Sequence, residues 1–248
     1  MDVEIKRDGL TLHGLLETPA AKTYDIAVLM HGFTGNLGYD KTDLLAEVAR
    51  TLQAQGLATI RFDFNGCGKS DGRFQDMTIP SEIADGKAIL DYTRKLPHIR
   101  HIYLVGHSQG GVVASMLAGY YPEVITRLVL LAPAATLKDD ALKGNLMGVT
   151  YNPKKIPETL NLREDVVVGG FYLRTAQMLP IYEVAQRYRG PVCVIHGDAD
   201  TVVDKIASKR YHAVYDDSEL HIIAHGTHQF QEAARPQVLR IVSDFLQE

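Results

Sequence analysis

Apolar and polar positions alternate along Asp2–Lys6 and again along Leu10–Glu17, with Asp8-Gly9 between them, a pattern that predicts a β-hairpin. The next apolar stretch, Ile26–Met30, is continuous and ends in His31-Gly32. A run of that kind suits a strand covered on both faces, as in a parallel sheet. Leu44, Leu45, Val48 and Leu52 then recur at helical spacing within Lys41–Gln55, and Gly56 supplies the stop. Strands over Ala58–Phe62, Ile102–Val105 and Leu128–Leu131 alternate with helices over Pro80–Lys95 and Gln109–Tyr120. Pro80 and Glu82 stand where a first helical turn favours them. After Pro191 the rhythm returns: strand Val192–Ile195, helix Asp204–Tyr215, strand Leu220–Ile223, helix Pro236–Leu246. Strand–helix alternation sustained this long predicts a doubly wound, mostly parallel α/β sheet with helices on both faces.

One segment breaks the rhythm. Residues 134–180 hold Lys138-Asp139-Asp140, Tyr151-Asn152-Pro153 and Gly169-Gly170-Phe171-Tyr172, with no clean strand–helix unit. That length is too great for a bare connection between two core strands, and the segment is rich in aromatic and aliphatic residues. We read residues 1–133 and 181–248 as one α/β core, and 134–180 as a small cap inserted over the carboxyl edge of the sheet.

Composition narrows the classes of function. The chain has 248 residues, 46% of them hydrophobic and 23% charged, which fits an ordered globular protein rather than a disordered one. A formal net charge of −4 gives no support for nucleic-acid or anionic-membrane binding. No apolar run approaches the ~18 residues that span a bilayer. The first residues lack the pattern of a secretory signal, so a cytoplasmic protein is expected. Two cysteines, Cys67 and Cys193, are too few for a disulfide scaffold or a cysteine-based metal site.

The strongest chemical signal is Gly106-His107-Ser108-Gln109-Gly110, placed between the Ile102–Val105 strand and the Gln109–Tyr120 helix. A serine on so sharp a turn has its hydroxyl pushed clear of the backbone, at the positive end of a helix. Side chains at either flanking glycine would collide with the turn. The hydroxyl is a weak nucleophile alone; it needs a base, and the base an orienting carboxylate. In this architecture the acid and then the histidine follow the serine. Asp198 and Asp200 both follow strand Val192–Ile195. Asp200 is preferred, because it lies deeper in the loop and just before an apolar turn; Asp198 beside Gly197 suits a turn role. His225 and His228 both follow strand Leu220–Ile223. His228 is preferred, since Gly226 allows the loop to turn back toward the nucleophile and Phe230 can pin it.

An oxyanion hole needs two N–H donors. The Gln109 backbone N–H comes with the turn, and Phe33 N–H in His31-Gly32-Phe33-Thr34-Gly35 is the natural second. His31 and His107 read as structural hydrogen-bonding residues. Gly68-Lys69-Ser70 matches the end of a phosphate-binding loop, but Asp63 stands where its first glycine should be, and a carboxylate there repels phosphate. Cys67 has no pairing order that supports a thiol nucleophile, and Cys193 reads as a small core residue.

Taken together, His31–Gly35, Arg61-Phe62-Asp63-Phe64-Asn65-Gly66, Gly106–Gly111 and Leu131-Ala132-Pro133-Ala134-Ala135 resemble an α/β-hydrolase-fold serine esterase. Gly148-Val149-Thr150-Tyr151-Asn152-Pro153 and Gly170-Phe171-Tyr172-Leu173-Arg174 narrow the resemblance to the small bacterial cinnamoyl (feruloyl) esterases. The resemblance implies a cap that walls an aromatic acyl pocket, with Asp140 and Tyr172 contacting the ring hydroxyl of a hydroxycinnamoyl group. Met147 stands where that pattern leads one to expect a polar residue.

The expected protein is therefore a carboxylic ester hydrolase acting on a small-molecule ester through an acyl-enzyme on Ser108, with Asp200 and His228, and with no metal or organic cofactor. Its expected products are hydroxycinnamic acids. A homodimer is the assembly left open. Two competing readings remain: a monoacylglycerol lipase or acyl-thioesterase on the same scaffold, and a catalytically silent binding module.

Overall fold

The computed structural model describes residues 1–247. In chain order the first half runs β1 (Asp2–Arg7), β2 (Leu10–Glu17), β3 (Tyr24–Met30), α1 (Leu44–Ala54), β4 (Ala58–Phe62), α2 (Ile79–Thr93), β5 (Ile99–His107), α3 (Gln109–Tyr120) and β6 (Arg127–Leu131). Then follow α4 (Leu137–Lys143), β7 (Asn145–Leu146), β8 (Val149–Thr150), β9 (Thr159–Arg163), β10 (Val166–Gly169), α5 (Gly170–Met178) and α6 (Ile181–Ala185). The chain closes with β11 (Val192–Gly197), α7 (Ile206–Val214), β12 (Ser218–Ile223) and α8 (Ala234–Gln247).

Eight strands form one sheet in the order β1-β2-β4-β3-β5-β6-β11-β12. The β1–β2 and β2–β4 pairs are antiparallel; every pair from β4 to β12 is parallel. Asp8 and Gly9 turn the β1–β2 hairpin with φ of 48° and 84°, the left-handed pair that a two-residue hairpin loop needs. Continuous apolar strands follow from cover on both faces. Along β3, Ile26, Val28 and Met30 join the cluster under α2, α3 and α6, while Ala27 and Leu29 join the one under α1 and α8. This is the α/β-hydrolase architecture, and its parallel strands direct their carboxyl ends to one edge.

Helix α2 is fixed at its start by reciprocal bonds between Thr78 and Ser81, with Pro80 in the first turn. Its first-turn Glu82 does not face water as an acidic residue there usually does; it is buried. The five residues of α6 are too few to register as a helical period.

Residues 134–180 fold into α4, two short hairpins and α5. The β7–β8 turn places Met147 and Gly148 at φ of 51° and 85°, and β9 pairs with β10. Leu160, Val168, Tyr172 and Leu173 are buried in the same cluster as Val112 and Met116 of α3. The segment thus shares its apolar packing with the sheet-covering helices. Among the described residues no helix is long and apolar enough to cross a membrane.

Candidate active site

Ser108 sits between β5 and α3 at φ 55° and ψ −121°, a backbone conformation that costs an L-residue energy. Its surroundings enforce it. A Cβ on Gly106 would lie 2.3 Å from the Gly110 carbonyl oxygen, and one on Gly110 would lie 2.3 Å from the His31 carbonyl oxygen. Neither position admits a side chain, so the chain can pass this sharply from strand to helix only with glycine at both. The Ser108 N–H donates to the Leu131 carbonyl at 2.9 Å, and the Ser108 carbonyl accepts from Ala134 N–H at 3.0 Å, which ties the turn to the end of β6.

The structure brings Ser108, His228 and Asp200 into one line. His228 Nε2 is 2.9 Å from Ser108 Oγ, and His228 Nδ1 is 2.7 Å from Asp200 Oδ2. The other Asp200 oxygen accepts the N–H groups of Val202 and Val203 at 2.8 and 2.9 Å. Burial alone would raise the Asp200 carboxyl. Hydrogen bonds from His196, His228 and Val203 outweigh it and hold the group below the usual carboxylate range. A carboxylate that stays ionised keeps His228 Nδ1 as the protonated nitrogen, and Nε2 is then free to accept the serine proton.

Asp198 and His225 are brought to each other instead of to Ser108. The Asp198 carboxylate accepts the His225 backbone N–H at 2.6 Å, joining the loops after β11 and β12. Gly226 contributes differently from the turn role its position predicts. The left-handed residue is His225 at φ 57°, whereas Gly226 is needed for close approach. A Cβ on Gly197 would meet the Gly226 carbonyl at 2.0 Å, so the two loops touch backbone to backbone. Phe230 is fully buried behind this contact.

Two other histidines brace the site. His31 Nδ1 donates to the Gly32 carbonyl at 2.8 Å, and its Nε2 accepts Phe64 N–H at 3.1 Å. Burial depresses its pKa, which suits a ring that must accept at Nε2. His107 Nε2 donates to the His228 carbonyl at 2.9 Å. Burial, and then the positive charge His228 can carry, push His107 down to about 3. The loop after β3 presses against the serine: a Cβ on Gly32 would lie 2.9 Å from Ser108 Cβ. Among the described residues, neither Phe33 N–H nor Gln109 N–H donates to a protein acceptor.

His196 and Glu82 take part in ways their sequence positions do not announce. His196, fully buried at the end of β11, lies between Asp200 and Ser208. Glu82 accepts Gln109 Nε2 at 2.8 Å, and Gln109 Oε1 accepts the Tyr172 hydroxyl at 2.7 Å. The only sequence signal for His196 is its four-residue spacing from Asp200. Glu82 has none.

Ser108 opens on a cavity of about 640 Å³, lined among others by Phe33, Gln109, Asp140, Leu146, Met147 and Tyr172. Asp140 and Tyr172 therefore face the same space, although the Tyr172 hydroxyl proton is already donated to Gln109. A second cavity of about 330 Å³ reaches Ser108 from the side of Gly32, Asn36, Leu45 and Gln229.

The glycine-rich loop holds an anion of its own. Asp63 is buried and accepts Leu37 N–H at 2.7 Å and Lys69 N–H at 2.8 Å, and a Cβ on Gly68 would lie 2.1 Å from its carboxylate. A protein carboxylate fills the place a phosphate would take. The Cys67 thiol is pushed up first of all by burial, away from thiolate chemistry.

This sheet, with a strained serine at the carboxyl end of a central parallel strand and a histidine within reach of it, defines an α/β-hydrolase-fold serine hydrolase. The profile of the family described as serine aminopeptidase, S33, matches residues 21–165, more than half of the chain, and the chain belongs to that family. Among solved structures it is similar to Est1E from Butyrivibrio proteoclasticus with ferulic acid bound: TM-score 0.94, 32% identity, 99% of this chain and 98% of that one covered. Among curated proteins, Serine hydrolase BPHL of Homo sapiens is 24% identical over 90% of this chain and 80% of its own length. The mitochondrial palmitoyl-protein thioesterase ABHD10 of Bos taurus is 26% identical over 88% of this chain and 72% of its own.

Proposed function

We propose that the protein hydrolyses carboxylic esters through an acyl-enzyme on Ser108, and that the acyl group it prefers is a hydroxycinnamoyl group. The observation that carries this reading is the 2.9 Å contact between His228 Nε2 and the Oγ of Ser108, a residue that lines the larger cavity. Residues 134–180 act as a cap over that cavity. Phe33 and Tyr172, with ring centroids 5.6 Å apart, supply an aromatic wall, and Asp140 offers a carboxylate to a phenolic hydroxyl. Similarity to a protein whose structure contains ferulic acid supports the same acyl class.

Ser108 Oγ attacks the ester carbonyl carbon while its proton passes to His228 Nε2. The carbonyl oxygen becomes an oxyanion, which the N–H groups of Phe33 and Gln109 stabilise. The intermediate collapses, the carbon–oxygen bond to the alcohol breaks, and His228 returns its proton to the departing alcohol. Water then attacks the acyl-Ser108 ester, giving its proton to His228. The second collapse releases the acid and reprotonates Ser108. Asp200 remains ionised throughout and stabilises the imidazolium.

The competing reading is hydrolysis of long acyl thioesters, favoured by the similarity to a palmitoyl-protein thioesterase. Asp139, Asp140, Lys143, Asp204 and Arg210 all line the larger cavity, and charged walls oppose burial of a long alkyl chain. The test compares kcat/KM for methyl ferulate, p-nitrophenyl acetate and a palmitoyl thioester, with Ser108→Ala as control. Methyl ferulate is expected to be the best of the three, and Ser108→Ala is expected to lose about 10⁴-fold or more of its turnover. Preference for the palmitoyl thioester overturns the acyl assignment, and retained turnover by Ser108→Ala overturns the mechanism.

A further inference from the structure

Gln109 is held at both ends. Its side chain is buried; Nε2 donates to Glu82 Oε2 at 2.8 Å on α2, and Oε1 accepts the Tyr172 O–H at 2.7 Å on α5. Three elements that are distant in sequence thus meet in one chain of hydrogen bonds, centred on the residue that follows the nucleophile.

The local backbone explains why such a clamp matters. The peptide joining Ser108 to Gln109 carries one of the two N–H groups assigned to the oxyanion, and its direction is set by the strained torsions of Ser108. The Ser108 side chain makes no capping bond to α3, so the first turn of that helix lacks the usual anchor. Packing alone could bury a side chain at position 109. A polar clamp does more, because a buried amide has a steep preference for the orientation that satisfies both its ends.

Glu82 is suited to this task and to little else. It is fully buried, and the cation nearby serves a different carboxylate: Arg7 pairs with Asp85, which also takes Asn65 N–H. Burial raises Glu82 well above the ordinary carboxyl range, against the hydrogen bond from Gln109 and with the charge of Asp85 adding to the rise, so burial favours the neutral acid. A neutral acid accepts from Gln109 without placing a full negative charge near the developing oxyanion. A carboxylate there would oppose that charge.

We propose that Glu82 and Tyr172 are positioning residues. They clamp the Gln109 side chain, thereby aim its backbone N–H at the oxyanion, and couple that donor to the seating of α5. This rests on the ester-hydrolase reading of Ser108. It assigns the Tyr172 hydroxyl proton to the catalytic frame, in addition to the place of Tyr172 in the cavity wall.

The test uses the full-length protein with Glu82→Ala, Glu82→Gln and Tyr172→Phe. The probe is a small alkyl fluorophosphonate, whose reaction with Ser108 develops charge on the phosphoryl oxygen in the same hole and needs no ring hydroxyl. Rates are scored per active site from the labelled fraction, so partly misfolded protein is discounted. Glu82→Ala and Tyr172→Phe are expected to slow labelling about 10-fold each, short of the roughly 10² to 10³-fold effect of deleting an oxyanion donor outright. Glu82→Gln, an uncharged isostere, is expected to restore the rate to within about threefold. On p-nitrophenyl acetate the same variants are expected to lower kcat with little change in KM. Labelling of both disruptive variants at the unmodified rate overturns the clamp, as does a Glu82→Gln variant no better than Glu82→Ala. Ester turnover absent while Ser108 still labels overturns the ester reading and leaves the clamp standing. Failure of the unmodified protein to label overturns both.

Discussion

The buried ring of His196 lies 3.2 Å through Nε2 from Asp200 Oδ2. That oxygen also receives His228 Nδ1, so one carboxylate oxygen is shared between two imidazoles. His196 Nε2 lies 3.0 Å from the Val203 carbonyl as well, and both neighbours only accept, so Nε2 carries the ring proton. His196 therefore helps to hold the carboxylate that is bonded to His228. His196→Ala is expected to lower kcat by about 10- to 100-fold with KM nearly unchanged, the scale of one hydrogen bond to a charged group. Steady-state kinetics on p-nitrophenyl acetate check it. A loss of less than threefold would show that Val202 and Val203 hold Asp200 without help.

The two carboxylates in the loop after β11 are expected to separate in kind. Asp200→Asn should lower kcat by about 10⁴-fold while leaving the fold intact, because the wrong tautomer of His228 then faces Ser108. Asp198→Ala removes only the tie to His225 N–H. Its kcat should stay within about tenfold, with Tm lowered by a few degrees, the scale of one hydrogen bond in a chain of this size. Parallel kinetics and thermal melts decide the point. If the larger kinetic loss follows Asp198, the acid has been assigned to the wrong residue.

These contrasts show which parts of the molecule can be read from the chain. Strand Ala58–Phe62 and helix Gln109–Tyr120 have the ends their patterns predict, because an alternating stretch in the first and an apolar run in the second are each bounded by residues of strong local preference. The serine turn is equally local, since Gly106 and Gly110 are excluded from carrying side chains by atoms close to them in the fold and partly in sequence. Residues 134–180 give no period because their elements are too short: β7 and β8 have two residues each. Glu82 reads as an ordinary first-turn acid. Its partner lies 27 positions away, and only the packing of α2 on α3 brings them together. His196 is hidden in the same way by an apolar strand that it merely terminates.

The raised pKa of Glu82 has a consequence for stability. Its folded pKa is raised above an unfolded value of about 4.3, so the folded state binds the proton more tightly. The stabilising contribution is complete below the unfolded value and is lost as pH rises through the folded one. Glu82→Gln removes that dependence. The variant should match the unmodified protein near pH 4 and gain on it as pH rises toward 8, read as the difference in urea midpoint. Asp200 has the opposite sign: its contribution is present at neutral pH and is lost as pH falls below about 3.9. A Glu82→Gln difference that is flat with pH would mean that Glu82 is ionised in the folded protein.

Met147 stands at the tip of the β7–β8 hairpin, 61% exposed, and lines both cavities that meet at Ser108. Val202, also exposed and lining both, approaches from the loop that carries Asp200. An ester spanning the two cavities shares walls formed in part by these apolar side chains, so the pair should favour esters whose alcohol is apolar close to the linkage. Met147 also occupies the left-handed region at φ 51°, where asparagine is better tolerated. Met147→Asn should therefore fold with equal or higher Tm. Its kcat/KM for butyl ferulate should fall about tenfold relative to methyl ferulate, since each buried methylene is worth about 0.8 kcal/mol and the polar tip no longer covers the chain. Equal kcat/KM ratios for the two esters in both proteins would place the alcohol away from the hairpin tip and assign the smaller cavity no part in ester choice.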